Sequence, residues 1–170
     1  MLFLFIGFVF IFIKWPIALG AGTLDIFPDI VGYLLLLYGA HGLKKESRHF
    51  SLVFILCAVL TAVSAAELSL SLLGLLSNTV LSAAVSLLMT LAFLYLTHEI
   101  CGGAKDMEAR RNRPIGVGKL VTAWGFLCFG SLLAYLPLVM PNMYLTCALL
   151  ELLSYFWFEY SLSVIYSKTK

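Results

Sequence analysis

The sequence predicts an all-α integral membrane protein, a single domain over residues 1–170 built as a bundle of about six transmembrane helices. Three observations predict it. First, 62% of the 170 residues are hydrophobic and 12% are charged, against roughly 45–50% and about 25% in soluble domains. So few charges cannot tile a surface that faces water. Second, the oily residues fall into runs separated by short connectors rich in Gly, Pro or charge. At about 20 residues per crossing the length holds six spans and no soluble domain. Third, the basic residues fall almost entirely on one side of the layout that those spans define.

The expected spans are residues 1–19, 28–43, 50–73, 79–100, 120–138 and 143–166. The first begins with an uninterrupted, Phe-rich run over residues 1–13, followed by Lys14, Trp15 and Pro16. Ala18-Leu19-Gly20 loosely resembles a signal-peptide cleavage site. The segment nevertheless lacks a basic n-region, so a retained span is expected. Two placements of Lys14 are open. It snorkels from the membrane boundary beside an interfacial Trp, or it sits within the span and needs an acidic partner.

Residues 20–27 read as a loop on the signals of Gly20, Gly22 and Thr23. Asp25 is placed to cap the helix that follows, Pro28 suits its first turn, and Asp29 would meet the positive end of its dipole. In that second span Gly32 and Gly39 are seven residues apart and share a face, which lets a neighbouring helix approach closely. The third span carries Ser64, Glu67 and Ser71 on one side. In the fourth, Ser82, Ser86 and Thr90 repeat every four residues as a small-residue packing face. Residues 101–119 are expected to be a long polar loop. The fifth span offers Gly130 and Ala134 for close packing. The sixth runs from Met143 to about Tyr166.

With both termini on one side, that side holds Lys44, Lys45, Arg48, Lys105, Arg110, Arg111, Arg113, Lys119, Lys168 and Lys170, which is ten of the eleven basic residues. The bias places both termini in the cytoplasm of a plasma membrane. The basic stretch 105–119 is read as this orientation signal, with contact to anionic headgroups as its alternative.

Ionisable groups inside a bilayer are costly and so are candidates for function. Depth along the spans puts Glu67 level with Asp25, Asp29 and Lys14, either as an outer polar mouth for a cation or substrate or as capped helix ends with a structural ion pair. Glu151 falls near mid-bilayer. Tyr144, Glu151, Tyr155 and Tyr166 share a narrow sector of the sixth helix, with Glu159 at its edge. Such a seam suits a proton- or cation-coupled carrier, or a hydrogen-bonded Glu that joins helices. The four cysteines form no Cys-x-x-Cys and read as small apolar fillers. No metal, catalytic, phosphate-loop or cofactor motif is present, and nothing points to nucleic acid. The expected partners are the lipid bilayer and a further membrane protein or second copy.

The run Asp25-Ile-Phe-Pro28-Asp29-Ile-Val-Gly32-Tyr33, with its Leu-rich continuation to Gly39 and then Ser47 and Phe50, resembles an uncharacterised family of small multi-span membrane proteins from clostridia-like Gram-positive bacteria. The likeness covers about 25 residues; Ala40-His41 departs from the Gly-Leu usual there. It implies residence in a bacterial inner membrane and brings no activity. Two functional classes lead from here. One is a small transporter, channel or substrate-binding membrane subunit. The other is a non-catalytic membrane partner or assembly protein. An intramembrane lipid enzyme is a third class without a motif.

Overall fold

A computed structural model describes residues 2–12, 16–19, 22–25, 29–72, 79–138 and 140–169. Side chains are not described at residues 16–25, 71–83 and 138. Six α-helices occur among the described residues: α1 (Leu2–Phe12), α2 (Asp29–Leu43), α3 (Arg48–Leu72), α4 (Thr79–Arg111), α5 (Val117–Leu133) and α6 (Tyr144–Thr169). Three helical stretches, Arg48–Leu70, Ala84–Arg111 and Pro141–Thr169, are long and apolar enough to cross a membrane. The helices Leu2–Phe12, Asp29–Leu43 and Val117–Leu133 are apolar but shorter.

Two departures from the expected layout have physical causes. The first span was expected to run to Leu19, but the chain forms a short antiparallel hairpin, β1 (Pro16–Leu19) with β2 (Gly22–Asp25). Pro16 has no N–H to continue a helix and its ring clashes with the carbonyl four residues back. Ile17 and Thr23 are β-branched and favour extended backbone. As a result Asp25 pairs across the hairpin with Pro16 in the backbone; α2 begins at Asp29, and the expected Asp25 cap lies outside the described side chains. Pro28 lies outside the described residues.

The second departure is the stretch 101–119. Most of it is helix: α4 continues to Arg111 and α5 begins at Val117, which leaves residues 112–116 as the connection. The residues Ala104-Lys105-Asp106-Met107-Glu108-Ala109-Arg110-Arg111 are mostly strong helix formers, and Cys101, Ala104 and Met107 are buried at helical spacing. The helix stops where Asn112 takes a left-handed conformation (φ 48°) ahead of Pro114. Thirty-three residues make a rod of about 50 Å, longer than the roughly 30 Å hydrocarbon core.

The chain forms two compact units, Met1–Leu96 and Thr97–Lys170. In the first, α1 lies antiparallel against α2. Gly7 and Gly32 face each other across this seam, where a Cβ on either would meet the other's carbonyl oxygen at 2.8 Å. A Cβ at Gly39 would stand 2.9 Å from the Leu4 nitrogen. Only glycine allows backbones this close. Phe3 and Tyr38 close one end edge to face at 4.7 Å, and Phe8 and Phe12 both meet Phe93 of α4 at 5.9 Å. The turn into α3 is fixed by Ser47, whose Oγ accepts the His49 N–H at 3.1 Å as an N-cap. Lys44 rests its ammonium 3.1 Å above the Phe54 ring.

In the second unit the end of α4, α5 and α6 pack together. His98 meets Trp124 at 5.0 Å and Phe126 meets Trp157 at 4.6 Å. Glu108 accepts the backbone N–H groups of Ile115 and Val117 at 3.3 and 3.1 Å, so it caps α5 from the preceding helix. Gly116 is needed at the N-cap position because its φ is 99°. Arg111 donates to the Thr169 carbonyl at 3.2 Å, which ties the end of α4 to the end of α6.

Candidate functional site

A cluster of polar side chains lies on one turn of α6. Gly130 lets α5 approach so closely that a Cβ there would lie 2.5 Å from the Ser154 Oγ and 3.2 Å from the Glu151 Cα. Ser154 in turn donates to the Glu151 carbonyl at 2.6 Å. The Tyr155 hydroxyl donates to the Glu151 carboxylate at 2.7 Å, an i to i+4 pair on one helix face. Glu151 is half-buried, so its carboxylate is held by a donor yet keeps access to its surroundings.

One helical turn past Tyr155 stands Glu159. It is 9% exposed, and neither carboxylate oxygen has a hydrogen-bond partner among the described residues. Among the described residues it is a buried acid without a donor. Eight residues separate it from Glu151, about 12 Å along the axis, and the two flank the middle of the Pro141–Thr169 stretch. Sequence reasoning set Glu159 at the edge of the Tyr–Glu seam. The angular position on the helix was readable; the depth of burial was not, because it depends on what packs beside the helix.

The residues expected at an outer mouth fare differently. Asp29 is in the first turn of α2 and is half-buried. Glu67 is half-buried near the far end of α3. Because a short turn joins α2 to α3, the two helices run antiparallel. Asp29 and Glu67 therefore lie toward the same end of unit one, about 21 Å and 28 Å from the turn. Asp25 is described in its backbone only, and Lys14 lies outside the described residues, so the Lys14 pairing does too.

The small-residue faces divide in the same way. Gly32 and Gly39 are covered by α1, with Gly7 as the partner that sequence reasoning did not single out, and Gly130 is covered by α6. Ser86 faces outward on α4, and Thr90 donates to its carbonyl at 3.0 Å. The Ser82 side chain is outside the described residues.

The fourth span was expected to end at residue 100, which would put His98 and Glu99 at its end. Because α4 runs on, they sit mid-helix instead, with Glu99 buried and its carboxylate 3.8 Å from the His98 Nδ1. Among the described residues no three His, Cys, Asp or Glu side chains gather as a metal site, and all four cysteines are free thiols. No protein-family model matches the chain, and no curated protein and no solved structure matches it.

Proposed function

We propose that this chain is a polytopic integral membrane protein acting as a small transporter, channel or substrate-binding membrane subunit, with α6 as its polar pathway and Glu151 and Glu159 as the groups that meet a proton or cation. The observation that carries this reading is Glu159, buried with no hydrogen-bond partner among the described residues, on the same helix as the hydrogen-bonded Glu151–Tyr155 pair. An ionised carboxylate without a donor costs several kcal/mol when taken out of water. The group therefore carries a proton or meets a cation, and a membrane helix that retains such an acid marks an ion or proton path by default.

The surrounding layout supports membrane residence. All six helices are apolar, and α6 turns Leu145, Leu153, Phe156 and Tyr160 outward, as side chains in hydrocarbon would be. Six spans with both termini cytoplasmic satisfy the basic-residue bias. The resemblance over residues 25–50 to small membrane proteins of clostridia-like bacteria supports a bacterial inner membrane.

A second reading, a non-catalytic membrane partner or assembly protein, is favoured by one observation: the outward Ser86 face of α4. It draws nothing from Gly32, Gly39 or Gly130, whose faces are already covered within their own units.

The test is proton flux. The purified chain is reconstituted into liposomes holding a pH-sensitive dye, and a potassium–valinomycin potential is applied. Flux above empty liposomes is expected, reduced by Glu159→Gln and by Glu151→Gln while both variants stay monodisperse. Absence of flux, or flux that both variants leave intact, rejects the carrier reading and leaves the partner reading.

A further inference from the structure

A hollow runs along the outer face of α5. At its polar end it is lined by Lys105 and Asn112 of the α4 end, Arg113, and then Val117, Gly118 and Val121, with a volume of about 670 Å³. A second hollow of about 220 Å³ continues down the same helix, lined by Thr122, Gly125, Phe126 and Phe129. Residues 118, 122, 125 and 129 fall at helical spacing on one face, so the two hollows form one stripe about 16 Å long.

We infer that this stripe holds an anionic phospholipid, its phosphate against Lys105 and Arg113 and one acyl chain along Gly118, Val121, Gly125 and Phe129.

Charge selects the headgroup. Lys105 and Arg113 are exposed and have no acidic partner among the described residues. The acid in the hollow, Glu108, is turned onto the backbone donors of Ile115 and Val117. Basic side chains at the end of a membrane helix attract anionic lipid.

The apolar half selects a chain rather than a free phosphate. The Thr122 hydroxyl donates to the Gly118 carbonyl at 3.0 Å, so the stripe offers no side-chain donor beyond its polar end. A Cβ added at Gly118 or at Gly125 would meet nothing within 4 Å. These glycines make no close approach to any described residue, although glycine in a helix costs about 1 kcal/mol against alanine. Their bare backbone deepens a groove that opens outward, and an acyl chain is what fills such a groove in a bilayer.

The test is lipid retention by the full-length chain in a neutral detergent, read by native mass spectrometry and by melting temperature. Phosphatidylglycerol is expected to stay bound and raise the melting temperature, and phosphatidylcholine of the same chain length is not. Lys105→Ala with Arg113→Ala, both exposed and so compatible with folding, should weaken phosphatidylglycerol binding about thirtyfold. Gly118→Leu with Gly125→Leu should abolish it by filling the stripe.

Equal retention of phosphatidylcholine, equal stabilisation by inorganic phosphate, or unchanged binding in the double Ala variant overturns the inference. So does a detergent-resistant dimer that the Leu variants dissociate, because the groove would then hold a helix. None of these outcomes depends on the proton-flux result.

Discussion

Gly130 of α5 and Ser154 of α6 meet at a junction with no room for a Cβ at Gly130: one would stand 2.5 Å from the Ser154 Oγ. The junction is buried on both sides. It also fixes the turn of α6 that carries Glu151, whose Cα a Cβ at Gly130 would meet at 3.2 Å. Gly130→Leu is therefore expected to push α6 away and to destabilise the unit by about 1–3 kcal/mol, the usual cost of overpacking. Thermal unfolding in detergent measures it. Ser154→Ala should relieve part of the Gly130→Ala penalty, because the crowding atom is the hydroxyl itself.

The α1–α2 seam gives a parallel case with a sharper control. A side chain at Gly7 or Gly32 meets a backbone carbonyl, which cannot turn aside as a side chain can. Gly7→Leu and Gly32→Leu should each cost about 1–3 kcal/mol. Gly42, on the same helix as Gly32, faces open space. Gly42→Ala should leave stability unchanged or raise it by up to about 1 kcal/mol, through lower chain entropy and better helix propensity. Melting curves for the three variants separate close packing from helix propensity.

Glu108 bridges two helices rather than standing at a free end. Removing it with Glu108→Ala strips the Ile115 and Val117 N–H groups of their acceptor. The expected loss is about 1 kcal/mol, that of a helix cap, and less for Glu108→Gln, which keeps one acceptor oxygen. Amide hydrogen exchange checks it locally: Ile115 and Val117 should exchange faster while residues deep in α5 hold.

These three sites show what the linear sequence carries. Helices over 48–72 and 144–169 were legible because unbroken apolar runs of that length have few alternatives. The Gly32/Gly39 spacing was legible because it repeats on one chain. Gly7, which faces Gly32, was not, since nothing local in Leu2–Phe12 marks one position of an apolar helix as the one another backbone will touch. The extension of α4 was hidden by a rule that usually serves well: charges and Gly102-Gly103 read as a connector. Burial of Cys101, Ala104 and Met107 outweighs that signal. The hairpin at Pro16–Asp25 was missed because apolar residues such as Ile17, Ala18 and Leu19 suit a membrane helix as well as a strand. Glu159 was visible as an acid in an apolar helix. Its lack of a partner is a property of the surroundings, which no periodicity encodes.

The ends of unit two carry the last prediction. Arg111 bonds the Thr169 carbonyl, and a Cβ at Gly116 would lie 3.8 Å from the Lys168 Nζ. The end of α4, the bend at residues 112–116 and the end of α6 therefore meet. Lys105, Arg110, Arg111, Arg113, Lys119 and Lys168 gather near one end of the unit, as the positive-inside rule requires of residues that must stay on the same face. A fluorescent reporter that matures only in the cytoplasm, fused behind Lys170, should be bright. A phosphatase reporter active only outside should be silent. Neutralising Lys105, Arg110, Arg111 and Arg113 together removes much of the bias at this end, and part of the population should then invert and gain phosphatase activity. A phosphatase signal from the unaltered chain would place this end outside and refute the orientation.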